Sequence, residues 1–304
     1  MKERILITGG AGLLGLNWGQ AVRGDFSVNL LLHNRQIHLS GTTTCRFKLS
    51  SIDNLLNEFE KLKPRIVIHT AGLTNVEQCE SNPDLAYHIN VELAENLAKV
   101  CSRLNIKLVH ISTDHLFSGN EKNLDEEHPI SPLNVYAKTK AEAELRVLSS
   151  LPESLIIRTN FYGCGTTYRS SFSDMIINSL KNNQHLTLFQ DVFYTPIYTS
   201  VLVQAVHDLL RFNASGIYNV VGDERLSKYD FGLKMVKHFG FDESLIVKGN
   251  FIDRSNLIRR PSDMSLSNEK ICNFLKRKLG NVDEHLNMLY QHYETGNAQE
   301  IQAL

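Results

Sequence analysis

Apolar and polar positions along this chain fall into blocks that read alternately as strand and helix. Ile5, Leu6 and Ile7 form a short apolar run that stops in a glycine-rich stretch, after which apolar positions recur at Leu14, Trp18 and Val22, the spacing of one helical face. Further runs of strand length cover residues 26–32, 65–72, 108–113, 155–159 and 216–222. Between them, Asn90 opens a helix whose apolar face is Leu93, Leu97, Val100 and Cys101, and Ser131-Pro132 marks another helix start. Apolar strands alternating with helices imply right-handed crossovers and hence an α/β fold with a doubly wound parallel sheet. Helical patterns over residues 168–180 and from Ser227 onward predict a smaller, discontinuous lobe, with residues 201–210 forming a helix that returns to the sheet. The polar end, residues 295–304, is expected to fray.

The glycine stretch carries the first chemistry. Gly9, Gly12 and Gly15 sit between a strand and a helix, where a turn without Cβ atoms lets an anion approach unpaired backbone N–H groups and the positive end of the helix dipole. Gly9, Gly12, Leu13, Leu14 and Gly15 are therefore candidate contacts for the pyrophosphate of a dinucleotide. In such a fold the tip of the second strand meets the adenosine ribose. Here that tip is His33-Asn34-Arg35, with no acid for a 2′-hydroxyl and one arginine suited to a 2′-phosphate, so NADP(H) is favoured over NAD(H); the bland alternative is a solvated loop arginine. Ala71 and Gly72 end the next strand with small side chains against which a flat ligand can lie, and Ser112-Thr113 ends the one after with hydroxyls. By the crevice rule all three strand ends face one cleft.

Tyr136 and Lys140 stand four apart on the helix that follows, so they share a face. An ammonium beside a phenol stabilises the phenolate, which makes the pair a general acid/base for a carbonyl.

Composition narrows the rest. The 304 residues carry 32 basic and 33 acidic side chains, a near balance that gives no case for nucleic acid or an anionic membrane as partner. The five cysteines are scattered with no CxxC pair, and no His/Asp/Glu cluster has ligand spacing, so neither a disulfide framework nor a metal site is expected. A short apolar start running into glycines, with no apolar stretch of about 20 residues, points to a soluble cytoplasmic protein.

The strings TGGAGLLG, STDHLFSG, YAKTK and RTNFYG together resemble the extended short-chain dehydrogenase/reductase superfamily. Within it, SPLNVYAKTKAEAE, TPIYTSVLVQAV, GIYNVVG and RRPSDMSLSNEK make the chain most similar to the dTDP-4-dehydrorhamnose reductase family. The resemblance implies a catalytic triad of Thr113, Tyr136 and Lys140, with Asn90 beside the site, Asn160 at the nicotinamide end of the cofactor, and Arg260 near a nucleotide sugar. It also implies a dinucleotide-binding domain of residues 1–163 joined by 195–222, and a substrate lobe of 164–194 and 223–304. The expected activity is NADP(H)-dependent reduction of a 4-keto-6-deoxy sugar nucleotide. An epimerase or dehydratase on the same fold, and a non-catalytic regulatory role like that of the methionine adenosyltransferase β subunit, are the other readings. The oligomeric state stays open, a homodimer among the options. The family's usual STDYVFDG is altered here at His115, Leu116 and Ser118, and an aromatic of the strand-four loop is Leu73. His115 is therefore a candidate substrate contact, or else a packed or solvated loop histidine.

Overall fold

The computed structural model describes residues 2–253 and 257–304. Seven parallel strands make the central sheet: β1 (Arg4–Thr8), β2 (Ser27–Leu31), β3 (Thr43–Cys45), β4 (Ile66–His69), β5 (Lys107–Ile111), β6 (Leu155–Arg158) and β7 (Gly216–Asn219). Their order across the sheet is β7-β6-β5-β4-β1-β2-β3, so the chain reverses direction of growth between β1 and β4. The flanking helices are α1 (Leu13–Val22), α2 (Ile52–Leu62), α3 (Leu93–Leu104), α4 (Val135–Ser150) and, after an excursion into the lobe that includes α5 (Phe172–Lys181), α6 (Thr199–Arg211). Strand periodicity explains why both faces are covered. Ile5 and Ile7 enter one core and Leu6 the other; Leu155 and Ile157 likewise oppose Ile156. Each such side chain, fully buried, contributes roughly 1.5–3 kcal/mol.

The lobe is built from α5, α7 (Lys228–Phe239), α8 (Val282–Glu294) and small strand pairs, among them Leu186–Phe189 with Ile246–Gly249. Capping boxes start its helices: Ser171 with Asp174 for α5, Ser227 with Asp230 for α7, Asn281 with Glu284 for α8.

Several expectations shift by a few residues, and the reasons are local. α4 starts at Val135 rather than at Ser131-Pro132, because the Asn134 side chain accepts the Ala137 N–H at 3.0 Å and so caps the helix. Asn90 does not open α3; it lies inside a π-helical turn, His88–Glu92, that leads into it. The edge strand β3 and the helix α2 have no counterpart in the sequence reading, since Thr43–Cys45 is short and largely exposed. Nor does the C-terminal end fray. Asn297–Gln302 is a helix that buries Ala298 and Ile301, and Glu300 pairs with Arg23, the residue that follows α1, at 2.5 Å. Two apolar positions three apart suffice to dock a single turn onto an existing core.

Candidate active site

The carboxyl ends of β1, β4 and β5 open onto one crevice, at the point where strand order reverses. Gly9 takes φ +65°, and a Cβ on Gly15 would stand 2.5 Å from the Gly9 carbonyl oxygen, so this turn closes only without side chains. Gly12 caps α1 without a side-chain hydrogen bond, and the first turn holds no acid. The N–H groups of Leu13, Leu14 and Gly15 thus have no partner among the described residues, and they present the helix's positive end to the crevice. This cradle fits a dinucleotide pyrophosphate. Tyr168 donates its hydroxyl to the Ala11 carbonyl at 2.9 Å, and the exposed Arg35 guanidinium lies 3.6 Å from the centroid of the Tyr168 ring. Arg35 therefore stands at the rim of the same cradle.

Ala71 and Gly72 follow β4. The Ala71 N–H donates to Thr8 Oγ1, and a Cβ on Gly72 would meet Asn90 Oδ1 at 3.2 Å. Asn90 is committed to shaping this wall: Oδ1 accepts the Leu73 N–H at 2.7 Å, while Nδ2 donates to the Leu73 carbonyl and to Thr139 Oγ1. Its π-turn setting is the irregularity that lets one side chain span loop and helix, a placement common at functional sites.

Of the two hydroxyls ending β5, only Thr113 belongs to the crevice. Ser112 Oγ donates to Glu144 at 2.5 Å, and Glu144 in turn receives a fork of bonds from Arg158 of β6, at 2.8 Å from Nη2 and 3.1 Å from Nε. This buried pair clamps α4 to the sheet. Thr113 instead stands beside the Tyr136 phenol. Burial pushes that phenol up to about 12, with the Thr113 hydroxyl drawing it down and Asp114 and Cys79 adding to the rise. The expected lowering by Lys140 is not what this structure holds. The Lys140 ammonium donates instead to the Ile111 carbonyl at 2.7 Å and to His110 Nε2 at 3.2 Å, and burial lowers its own pKa to about 8.

Around Tyr136 stand groups from both sides of the crevice. His115 meets the Tyr136 ring edge-on at 5.7 Å between centroids, and its buried Nδ1 has no hydrogen-bond partner among the described residues. Asn160 donates to the Asp114 carboxylate at 2.5 Å. Arg260 pairs with Glu77 across the mouth, leaving its Nε buried and unpartnered. His115 thus meets Tyr136 directly, whereas Asn160 and Arg260 are tied to carboxylates of the chain.

Sequence reasoning missed Lys228. Its ammonium lies 3.3 Å from the centroid of Tyr194 and 4.7 Å from that of Phe172, with Asp114 as the acid that steadies its charge. Burial lowers its pKa to about 8. The available signal was a lysine at the first position of a helix, where the dipole disfavours a cation. His69 and His110 were missed as well. Their signal was a histidine interrupting each of two apolar strands at paired positions of the sheet. Among the described residues no group of three or more His, Cys, Asp or Glu side chains is arranged to hold a metal, and no helix is long and apolar enough to cross a membrane. A cavity of about 1240 Å³ opens at the opposite, amino-terminal ends of the strands, beside Glu3, Arg65 and Lys107, and none of Thr113, Tyr136 and Lys140 lines it.

Comparison with known proteins gives this arrangement its relatives. The family described as RmlD substrate binding domain matches residues 2–295. A dTDP-4-dehydrorhamnose reductase of Aggregatibacter actinomycetemcomitans is 30% identical over 286 residues, covering 88% of this chain and 92% of the relative. The methionine adenosyltransferase 2 subunit beta of Xenopus laevis is 29% identical, covering 80% of this chain and 74% of that one. The crystal structure of a dTDP-4-dehydrorhamnose reductase from Bacillus anthracis in complex with NADP superposes with a TM-score of 0.82 at 24% identity, covering 96% of this chain and all of the other, and has the same fold. With a family match that runs almost the whole length and a glycine turn, strand order and Thr-Tyr-Lys cluster to go with it, the chain belongs to the RmlD substrate-binding domain family.

Proposed function

We propose that this protein reduces the keto group of a 4-keto-6-deoxy sugar nucleotide, using NADP(H) in preference to NAD(H). The observation that carries the proposal is the convergence of Thr113, Tyr136 and Lys140 beside an uncapped helix N-terminus whose turn excludes side chains. When bound, the reduced nicotinamide supplies the hydride. Tyr136 gives its phenolic proton to the carbonyl oxygen as negative charge develops there. Thr113 hydrogen-bonds the same oxygen, and the Lys140 ammonium, one turn along α4 and held by the Ile111 carbonyl and His110, keeps one N–H free for the crevice. The names of its relatives support the substrate class, and Arg35 at the rim of the cradle supports a 2′-phosphate.

Dehydration fits less well. Removing a C5 proton and expelling a C6 hydroxyl needs an added acid and base, and the position after Asp114 is the half-buried His115, whose pKa burial lowers. Asp114 itself is bound to Asn160. The similarity to a methionine adenosyltransferase β subunit supports a second reading, a regulatory binding partner.

The test is NADPH oxidation with a 4-keto-6-deoxy sugar nucleotide. One equivalent should be consumed per ketone. Tyr136→Phe, which removes one hydroxyl, should keep NADPH affinity and lower turnover by roughly 10²–10⁴-fold. No turnover with any such ketone, together with co-purification of an enzyme partner, would favour the regulatory reading.

A further inference from the structure

The catalytic lysine of this site is held from behind. β5 supplies the Lys140 ammonium with two acceptors, the Ile111 carbonyl at 2.7 Å and His110 Nε2 at 3.2 Å. An ammonium has three N–H donors and no acceptor, so the imidazole must receive the bond at Nε2 and carry its proton on Nδ1. His110 is 1% exposed, and its Nδ1 has no hydrogen-bond partner among the described residues. Its ring packs against that of His69, its partner across the β4–β5 ladder, at 5.3 Å between centroids; His69 is fixed by Thr8 Oγ1 at 2.7 Å from Nδ1. Two imidazoles on the floor of the crevice are thus anchored to the strands, and one of them addresses the lysine.

We propose that His110 is a positioning residue for Lys140: as a neutral acceptor fixed in the Nδ1–H form, it and the Ile111 carbonyl take two ammonium N–H groups and leave one for the crevice. The competing anchors are removed. Glu144 lies one turn along the same helix, where it is the natural partner of Lys140, but its oxygens are taken by Arg158 and Ser112. The other ionisable groups facing this region are Tyr136 on α4 itself, His69 on β4, Asp114 in the loop after β5 and Cys79 on the short helix Val76–Ser81. Burial, and Lys140 itself, keep both histidines uncharged at neutral pH: His69 is lowered to about 3 and His110 well below its ordinary range. A charged His110 would repel the ammonium it is placed to receive. The arrangement lets a lysine stay cationic in a dry site while pointing one donor at the reacting groups, which deepens the proposed reductase reading and rests on it for its catalytic meaning.

Two measurements test the positioning without using turnover. In the unaltered protein, ¹⁵N NMR of the imidazoles should find His110 protonated at Nδ1 and accepting at Nε2; a proton on Nε2 overturns the proposal. In protein labelled with ¹⁵N-lysine, the Lys140 Nζ signal, assigned by its loss in Lys140→Met, should titrate at lower pH in His110→Phe, by about one unit, a tenfold change in the charged fraction. His110→Gln, whose amide oxygen accepts in place of Nε2, should restore most of the shift. An unmoved midpoint in folded His110→Phe, or a Gln variant no better than Phe, overturns it. Kinetics then connect the result to function. With a 4-keto sugar nucleotide, the alkaline limb of the kcat/KM profile should move in step with the NMR midpoint. A limb that stays put while the midpoint moves denies His110 its catalytic meaning, whereas absence of turnover in the unaltered protein counts against the reductase reading and leaves the NMR result intact.

Discussion

Tyr136 is a reluctant acid in this state, since burial lifts its phenol to about 12. A proton held that firmly moves only when the accepting oxygen becomes strongly basic, which is what hydride arrival at a carbonyl carbon produces. Acid and hydride steps are thereby coupled. The cofactor end turns on a different residue. Arg35 is exposed, with its guanidinium over the Tyr168 ring whose hydroxyl reaches the glycine turn at Ala11. NADPH should therefore bind more tightly than NADH by about 1–3 kcal/mol, the range of a charge-assisted bond. Arg35→Ala should abolish most of that preference and barely alter NADH affinity, as titration calorimetry of both dinucleotides will report. Equal affinities in the unaltered protein would remove Arg35 from the site. Tyr136, Lys140 and Arg35 were legible in the sequence because helical spacing and a strand tip give their positions directly. His110 was not: its importance depends on the register of β5 and on where an ammonium from another element ends.

At the scale of elements, what sets Tyr136 and Lys140 in place is the clamp on α4. Glu144 and Arg158 are each buried to within a few per cent and bonded through a fork, with Ser112 as third partner. Breaking such a pair leaves an uncompensated buried charge, which costs about 3–5 kcal/mol, whereas apolar replacement of both partners is often near neutral. Glu144→Ala should therefore lower the denaturation midpoint far more than the double variant Glu144→Met/Arg158→Met. The single variant should also lose reductase activity beyond its loss of fold, because α4 carries Tyr136 and Lys140. A double variant as unstable as the single one would show that the cost lies in packing rather than in stranded charge. The crossover pattern that places α4 over the sheet was readable from alternating apolar runs. The clamp was not, because Ser112, Glu144 and Arg158 each look like an ordinary surface or site residue until β5, β6 and α4 are set side by side. The docked C-terminal turn was hidden for a similar reason: Ala298 and Ile301 are too few to signal burial without the surface they cover.

Across the whole molecule, Arg260 is joined to Glu77 of the short helix Val76–Ser81 that follows β4. An arginine already paired must release its partner, or recruit a second anion, to receive a diphosphate. Arg260→Ala should raise KM for the nucleotide sugar and leave NADPH affinity unchanged, while Glu77→Gln should lower that KM by freeing the guanidinium. Unchanged KM values in both variants would reduce the pair to a surface contact. The reductase reading is tested most directly by the fate of the hydride. NADPH carrying deuterium at both nicotinamide C4 positions, mixed with a 4-keto-6-deoxy sugar nucleotide and the protein, should yield an alcohol with deuterium at sugar C4, one atom per cofactor oxidised, and Tyr136→Phe should suppress the transfer. An undeuterated product, or formation of a 4-keto sugar from an unreduced hexose nucleotide with catalytic oxidised cofactor, would contradict it.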